Sequence, residues 1–364
     1  MRATITVLVV DDSALIRQML TRALELDPRV RVVGIAKTGV EAIEKARELQ
    51  PDVITLDIEM PELSGIEALP HLRKHSDARV IVLSSIDDPD TTYQALSAGA
   101  VDFIVKPRTG FATSLSELSE LLLKKIHIAY RIDARHVEQA ITELEKPAEE
   151  PVAPAQPAPP TGTLAADRAP EYAVALGAST GGPPALERVL KGLVPAMPAA
   201  YLIVQHLPAG FSASLARRLS SAGEIHVVEA AEGMRITAGT GYLAPHGAHM
   251  TVVEPSRGTY RIHLDDSAPL HGVRPAVDPL FSSVARVFGD RAVGVLLSGM
   301  GSDGANGLAD VHAAGGATIA QNEETSVVWG MPGAAHKRGV VQRLAPITLV
   351  AAEVRRAVRG SGAA

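Results

Sequence analysis

The chain has 364 residues, more than one ordinary domain, so two domains are the first expectation. Hydrophobic residues make up 46% and aromatic residues only 3%, so each core must rest on Ala, Val, Leu and Ile. A formal net charge of −6 offers no basic face to nucleic acid, and the lack of any cysteine excludes disulfides, thiolate metal sites and cysteine nucleophiles.

The first apolar run, "TITVLVV", stops at Asp11 and Asp12, too early for a secretory leader. No run approaches the roughly 20 apolar residues that span a bilayer. A soluble, cytoplasmic protein with no direct membrane insertion is expected. Short apolar runs then alternate with helical periodicity. The strand candidates are "TVLVV", "RVVGIA", "DVITLD", "RVIVLSS" and "VDFIVK". Between them lie "SALIRQMLTRALEL", "GVEAIEKAREL", "GIEALPHLRK" and "DTTYQALSAG", and "SLSELSELLLKKIHIAY" closes the set. Leu15, Met19, Leu20 and Leu24 are expected on one helical face. Five successive βα units predict an α/β domain, a doubly wound parallel sheet covered on both faces, over residues 1–130.

Residues 131–171 read as a linker. From about residue 145 it is rich in Pro, Ala and Glu and has too few large apolar residues to offset the entropy of ordering. Over residues 172–364 the alternation resumes. "YAVALGAS", "AYLIVQH", "AVGVLLSG" and "GATIAQ" read as buried strands of a second parallel sheet, and Ile225 to Leu264 reads as a β-rich insertion.

Ligands of open parallel sheets gather beyond the carboxyl ends of the strands. In the first domain those ends carry Asp11, Asp12, Asp57, Ser84 and Lys106. Clustered carboxylates suit a hard divalent cation such as Mg²⁺, and a lysine and a hydroxyl beside it could hold phosphoryl oxygens. Each residue also has an ordinary role as a turn former or helix cap. "VDDSALIR", "LDIEMPELSGIEAL", "VIVLSS" and "AVDFIVKPR" resemble the receiver domain of bacterial response regulators. The resemblance implies a flavodoxin-like fold with Asp57 as phosphoacceptor and Asp11, Asp12 and Asp57 at the Mg²⁺. It also implies that Ser84 and Lys106 respond to the phosphoryl group.

In the second domain, "GASTGG" places Ser179 between a strand and a helix. A serine there is either a nucleophile on a tight turn or a helix cap. A phosphate-binding loop fits less well, because the Walker lysine and the dinucleotide glycine spacing are both missing. A nucleophile needs a base, a group to orient that base, and N–H donors for the oxyanion. His206 in "VQHLP" and Asp303 in "SGMGSDGANG" fall at strand ends on the same edge, and the loop around Gly299, Met300 and Gly301 could supply N–H groups. The order Ser, His, Asp differs from that of ordinary α/β-hydrolases. Asp303 could instead cap the following helix. His246 and His249 in "APHGAHM" read as loop or rim residues, and the domain shows no obvious metal cluster.

"GASTGGPPAL", "VQHLP", "GYLAPHGAHM", "RPAVDPLF", "GVLLSGMGSDGANG" and "TIAQNEETSVVWGMP" together resemble the catalytic domain of chemotaxis protein-glutamate methylesterases, the CheB family. That resemblance implies a serine hydrolase acting on glutamate γ-methyl esters of cytoplasmic chemoreceptor helices. Methanol is released, and some members also deamidate glutamine. By the same resemblance Ser179 is the nucleophile, His206 the base and Asp303 its orienter. Met300 supplies an oxyanion N–H, and Thr180 lines the site. No cofactor is expected in this domain. The implied partners are methylated chemoreceptors and the histidine kinase of a chemosensory system. Phosphorylation of the receiver would open a hydrolase that it otherwise covers. Two positions depart from the family pattern: His246, often glycine, and Val273, often histidine. A different class of reading is a catalytically weak regulator that acts as a scaffold; the intact Ser, His and Asp set argues against it.

Overall fold

The computed structural model describes residues 4–85, 88–106, 115–146 and 168–360. The chain divides into two compact units, Met1–Ile141 and Thr142–Ala364. Pro107 and most of the Pro/Ala/Glu-rich linker, residues 147–167, lie outside the described residues.

The first unit alternates β1 (Ile5–Val10), α1 (Ala14–Leu24), β2 (Val30–Ala36), α2 (Gly39–Leu49), β3 (Val53–Asp57), α3 (Gly65–His75), β4 (Arg79–Ser84), α4 (Pro89–Ser97), β5 (Asp102–Val105) and α5 (Leu115–Arg131). The strands form one parallel sheet in the order β2-β1-β3-β4-β5. Helix starts are chemically marked. Ser13, Thr38 and Ser64 each accept the amide N–H three residues on, and Ser64 with Glu67 completes a capping box. The buried stripe of α1 is Ile16, Leu20, Ala23 and Leu24. Leu15, expected on that face, is 54% exposed, because Ile16, one residue further round the helix, points to the sheet instead. A further helix, α6 (Ala134–Glu145), forms within the stretch read as linker, with Val137, Ala140 and Ile141 buried. Its apolar spacing is that of an amphipathic helix.

The second unit contains β6 (Tyr172–Ala178), α7 (Gly182–Lys191), β7 (Ala199–Gln205), α8 (Ser212–Ala222), β8 (His226–Glu229), β9 (Thr240–Leu243), β10 (His249–Ser256) and β11 (Thr259–Asp265). These are followed by α9 (Val277–Phe288), β12 (Ala292–Leu296), α10 (Ala305–Ala313), β13 (Ala317–Gln321), α11 (Met331–Lys337), β14 (Arg343–Ala345) and α12 (Ile347–Gly360). Seven strands make a parallel sheet in the order β14-β13-β12-β6-β7-β9-β8. β6 is central and all seven of its residues are buried, which accounts for its unbroken apolar run. The β-rich insertion is smaller than the sequence suggests. β8 and β9 extend the main sheet, and only β10 and β11 form a separate antiparallel pair. Among the described residues no helix is long and apolar enough to cross a membrane.

The carboxyl end of β3 is closely covered by the start of α3. The Gly65 N–H donates to the Ile58 carbonyl, and a Cβ at Gly65 would lie 1.9 Å from the Asp57 carbonyl oxygen. Gly65→Ala must therefore push α3 away from the Asp57 strand end. Urea unfolding is expected to register a loss of about 1–3 kcal/mol in the first unit.

Candidate functional site

In the first unit, Asp11, Asp57, Ser84 and Lys106 are brought to one sheet edge by the in-register pairing of β1, β3, β4 and β5. Asp11 and Asp57 are buried, whereas Asp12 is exposed. Lys106 Nζ stands 3.0 Å from Asp11 Oδ2 and 2.5 Å from Asp57 Oδ2. Both oxygens are buried, and the mobile Lys106 ammonium is the group that faces them among the described residues. Ligand atoms of Asp11, Asp12 and Asp57 lie within 4.8 Å of one another, so the three could hold one divalent cation. Burial pushes the Asp57 carboxyl up to about 6; Lys106 pulls against this, and the Asp11 charge adds to the rise. Burial also works against the Lys106 ammonium, but its two carboxylate partners hold its pKa above the ordinary lysine value. The Ser84 hydroxyl is engaged elsewhere, with the Ser85 carbonyl at 2.9 Å and with the hydroxyl of Thr92 on α4.

In the second unit three strand ends converge. Ala178 pairs with Gln205 and Gly177 with Leu296, so Ser179, His206 and the loop after β12 emerge side by side. The His206 N–H donates to the Ala178 carbonyl at 3.1 Å, and the Ser179 N–H to the Ser298 carbonyl at 3.0 Å. Gly299 runs so close that a Cβ there would stand 2.9 Å from Ser179 Cβ and 2.3 Å from Met331 Sδ. His206 Nε2 lies 2.8 Å from Asp303 Oδ2.

Asp303 is 2% exposed and accepts from the N–H groups of Val277 (2.7 Å) and Asp278 (3.1 Å), the first amides of α9. Burial works to raise its pKa. The His206 hydrogen bond and charge, together with the two amides, outweigh it and hold the carboxyl below the usual aspartate value. An ionised carboxylate only accepts, so His206 Nε2 carries the proton, and in the neutral ring Nδ1 is the basic nitrogen.

The alternative cap roles do not describe these residues. α7 is capped by Gly181 and α10 by Gly304, neither with a side-chain bond. Asp303 serves the N-terminus of α9, remote in sequence, rather than the helix that follows it. Among the described residues the Ser179 hydroxyl and the Met300 N–H have no hydrogen-bond partner. Met300 sits at the exposed loop beyond β12, and Thr180 is buried with its carbonyl held by Ser298 Oγ at 2.8 Å. His249 is not a rim residue. It is buried, with Nδ1 accepting from Ala276 N and Nε2 facing the Ala268 carbonyl. His246 is exposed and its Nδ1 meets the Leu207 carbonyl.

Several neighbours were not singled out by sequence. Asp278 accepts from Gly307 N near the start of α10 and from His271 Nε2, which also lies 3.9 Å from Asp303 Oδ1. His271, Asp278 and Asp303 thus form a compact group of metal-capable atoms, where no cluster was expected. Gln205 and Gln321 send side-chain amides to the loops around Ser179 and Ser298. "VQH" carries Gln205 and "AVD" carries Asp278, but their partners lie far off in sequence and leave no local periodic signal.

A family profile described as CheB methylesterase matches residues 174–354, and one described as response regulator receiver domain matches residues 7–112. The protein-glutamate methylesterase/protein-glutamine glutaminase 1 of Xanthomonas campestris pv. campestris is 42% identical over 350 residues, 95% of this chain and 95% of its own. The protein-glutamate methylesterase/protein-glutamine glutaminase of Pyrococcus horikoshii is 40% identical over 364 residues, 98% of this chain and 95% of its own. Among solved structures, the Thermotoga maritima CheB methylesterase catalytic domain is similar at 36% identity and a TM-score of 0.49, covering 50% of this chain and 96% of that one.

The raised pKa of Asp57 has a definite sign in stability. With a folded value of about 6 against an ordinary 3.8, ionised Asp57 opposes folding. The penalty is absent below the lower value, grows between the two and is complete above the upper. Asp57→Asn is expected to stabilise the chain in EDTA at pH 7.5 by on the order of 1–3 kcal/mol. The gain should shrink toward zero as the pH falls to about 4, as followed by urea midpoints across that range.

Proposed function

The chain belongs to the CheB methylesterase family, with a response regulator receiver domain in its first unit, and from that premise we propose that it hydrolyses glutamate γ-methyl esters on chemoreceptor helices under phosphorylation control. The observation that carries the hydrolytic part is Asp303, held by two α9 amides and His206 Nε2, which leaves His206 Nδ1 basic beside the strand end that bears Ser179.

Ser179 Oγ attacks the ester carbonyl and gives its proton to His206 Nδ1. Asp303 keeps the ring in this tautomer and balances the imidazolium charge. The tetrahedral oxygen takes the Met300 N–H, with Thr180 as part of the wall; one such donor is worth about 10²–10³ in rate. His206 returns the proton to the departing methoxide and methanol leaves; water then attacks the acyl-enzyme, gives a proton to His206 Nδ1, and His206 passes it to Ser179 Oγ as the glutamate is released. The resting hydroxyl is not yet bonded to its base, as is common before substrate is bound. Glutaminase activity, named in the relatives, uses the same residues, with His206 protonating the amide nitrogen that leaves as ammonia.

In the receiver, Asp57 accepts the phosphoryl group from a chemosensory histidine kinase. Asp11, Asp12 and Asp57 would hold a Mg²⁺, and their closely grouped carboxylate oxygens, two of them buried and met by a movable lysine rather than by fixed amides, fit that use. When bound, the ion would neutralise phosphoryl oxygens during transfer. Lys106 contacts the added group, and Ser84 must leave Thr92 to reach it. No cofactor is assigned to the hydrolytic unit, and the reaction is placed in the cytoplasm, where receptor helices are accessible.

Methanol release from methylated receptor fragments, with and without acetyl phosphate and Mg²⁺, tests both halves. Wild type should release methanol and do so faster with the donor, while Ser179→Ala should release none. Equal rates with and without donor would remove the regulatory half, and no release by wild type would favour the scaffold reading. Asp303→Asn, which reverses the tautomer preference of His206, should lower kcat by on the order of 10⁴-fold with KM little changed.

A further inference from the structure

We propose that Gln205 is a positioning residue of the hydrolytic site, one side-chain amide that ties the nucleophile's turn to the strand bearing the base. The assignment rests on the Ser179–His206–Asp303 reading above and deepens it.

Gln205 is the last residue of β7 and is 3% exposed. Its Nε2 donates to the Ser179 carbonyl at 2.8 Å and to the His206 carbonyl at 3.1 Å. The Ser179 carbonyl also takes the Gly182 N–H at 2.8 Å, and the Ser179 N–H is bonded to the Ser298 carbonyl. The peptide units on both sides of Ser179 are therefore held, and the hydroxyl retains only its own side-chain rotation. His206 is tied by its N–H to Ala178 and by its carbonyl to the same glutamine amide. Of these restraints, Gln205 is the side chain that touches the backbone of both residues.

The orientation of the amide is decided by chemistry. Both neighbours of Nε2 are carbonyl oxygens, which only accept, so the reversed amide would set oxygen against oxygen twice. The consequence is that Oε1 is buried without a partner. An orphaned buried amide oxygen is unfavourable, and an unbranched apolar side chain of the same length would avoid it. Stability of the fold alone therefore does not call for glutamine here: the Ser179 carbonyl already has Gly182, and relief of the orphaned Oε1 offsets the lost bond to the half-buried His206 carbonyl. What glutamine adds is a rigid link between nucleophile and base, whose relative placement sets the rate.

Gln205→Met keeps the length and removes the donor; Gln205→Glu keeps the shape and replaces the donor by a carboxylate. The full chain is used, with hydrogen–deuterium exchange over residues 177–183, urea midpoints, and kcat and KM on methylated receptor fragments. For Gln205→Met the expectation is an unchanged urea midpoint, several-fold faster exchange in that segment, and a roughly 10- to 100-fold lower kcat with KM within about twofold. Gln205→Glu should show a similar loss at neutral pH and close part of the gap to wild type as the pH is lowered and its carboxyl gains a proton to donate. Unchanged exchange, or a kcat within about twofold of wild type while Ser179→Ala is inactive, overturns the proposal. A kcat loss matched by a fall in the urea midpoint also overturns it. Wild type without Ser179-dependent turnover defeats the hydrolase reading itself, an outcome separate from a failure of the variants.

Discussion

Ala178 pairs with Gln205, and Gly177 pairs with Leu296; the register of this one buried strand decides which side chains can meet beyond its carboxyl end. Parallel strands with a common register end together, so Ser179, His206 and the Ser298–Met300 loop become neighbours although they come from three separate parts of the chain. A slip of one residue would turn every side chain of β6 to the other face and separate the set. Such a slip is resisted because β6 is buried along its whole length between two partners. The close approach at Gly299 then follows from geometry: two chains leaving adjacent strands at this spacing have no room for a side chain between Ser179 and Met331.

Beyond that edge, the arrangement is locked by reciprocal capping. Asp303, just before α10, satisfies the first amides of α9, and Asp278, in α9, satisfies Gly307 near the start of α10. Neither carboxylate can swing away without leaving helix-terminal N–H groups unpaired in a buried place, and those groups have no other partners within their own helices. Helix N-termini also favour negative charge, which helps keep Asp303 ionised despite its burial. His206, bonded to Asp303, shares in this rigidity, because its imidazole can turn only as far as its anchor does.

The parallel α/β class of both units, and the strand ends where the acidic and hydroxyl residues collect, were legible from apolar runs alternating with helical periodicity. What sequence did not reveal depends on tertiary partners. Leu15 and Ile16 are equally apolar neighbours, and only docking on the sheet decides which of them is buried. β8 and β9 are four residues each, too short to show whether they join the large sheet or the small antiparallel pair. His249 reads as a loop histidine because the groups that satisfy it, Ala268 and Ala276, arrive from a separate segment. Gln205 and Asp278 stand inside quoted motifs, yet their bonds run to other elements, and a side-chain amide carries no periodicity. Ser179 and Asp303 could be taken as caps on position alone; that reading fails because glycines occupy the cap positions of the helices they precede.

The two carboxylate sites of the chain differ in a way that follows from their donors. Asp303 has three donors, two of them fixed backbone amides, and its pKa is held down. Asp57 accepts one backbone amide, from Glu59, and otherwise faces a lysine on a flexible stem and a second carboxylate, and its pKa rises. A buried anion with few fixed donors is sensitive to added charge, whether a cation between the carboxylates or a phosphoryl group on one of them. Lys106 can follow that charge because its ammonium rides on four methylenes, and Ser84 can follow because its present bonds are to a neighbouring hydroxyl and a carbonyl rather than to the acidic cluster. The same sheet edge thus carries a rigid site in one unit and a responsive one in the other. The difference lies in whether helix-terminal amides or mobile side chains satisfy the buried carboxylate.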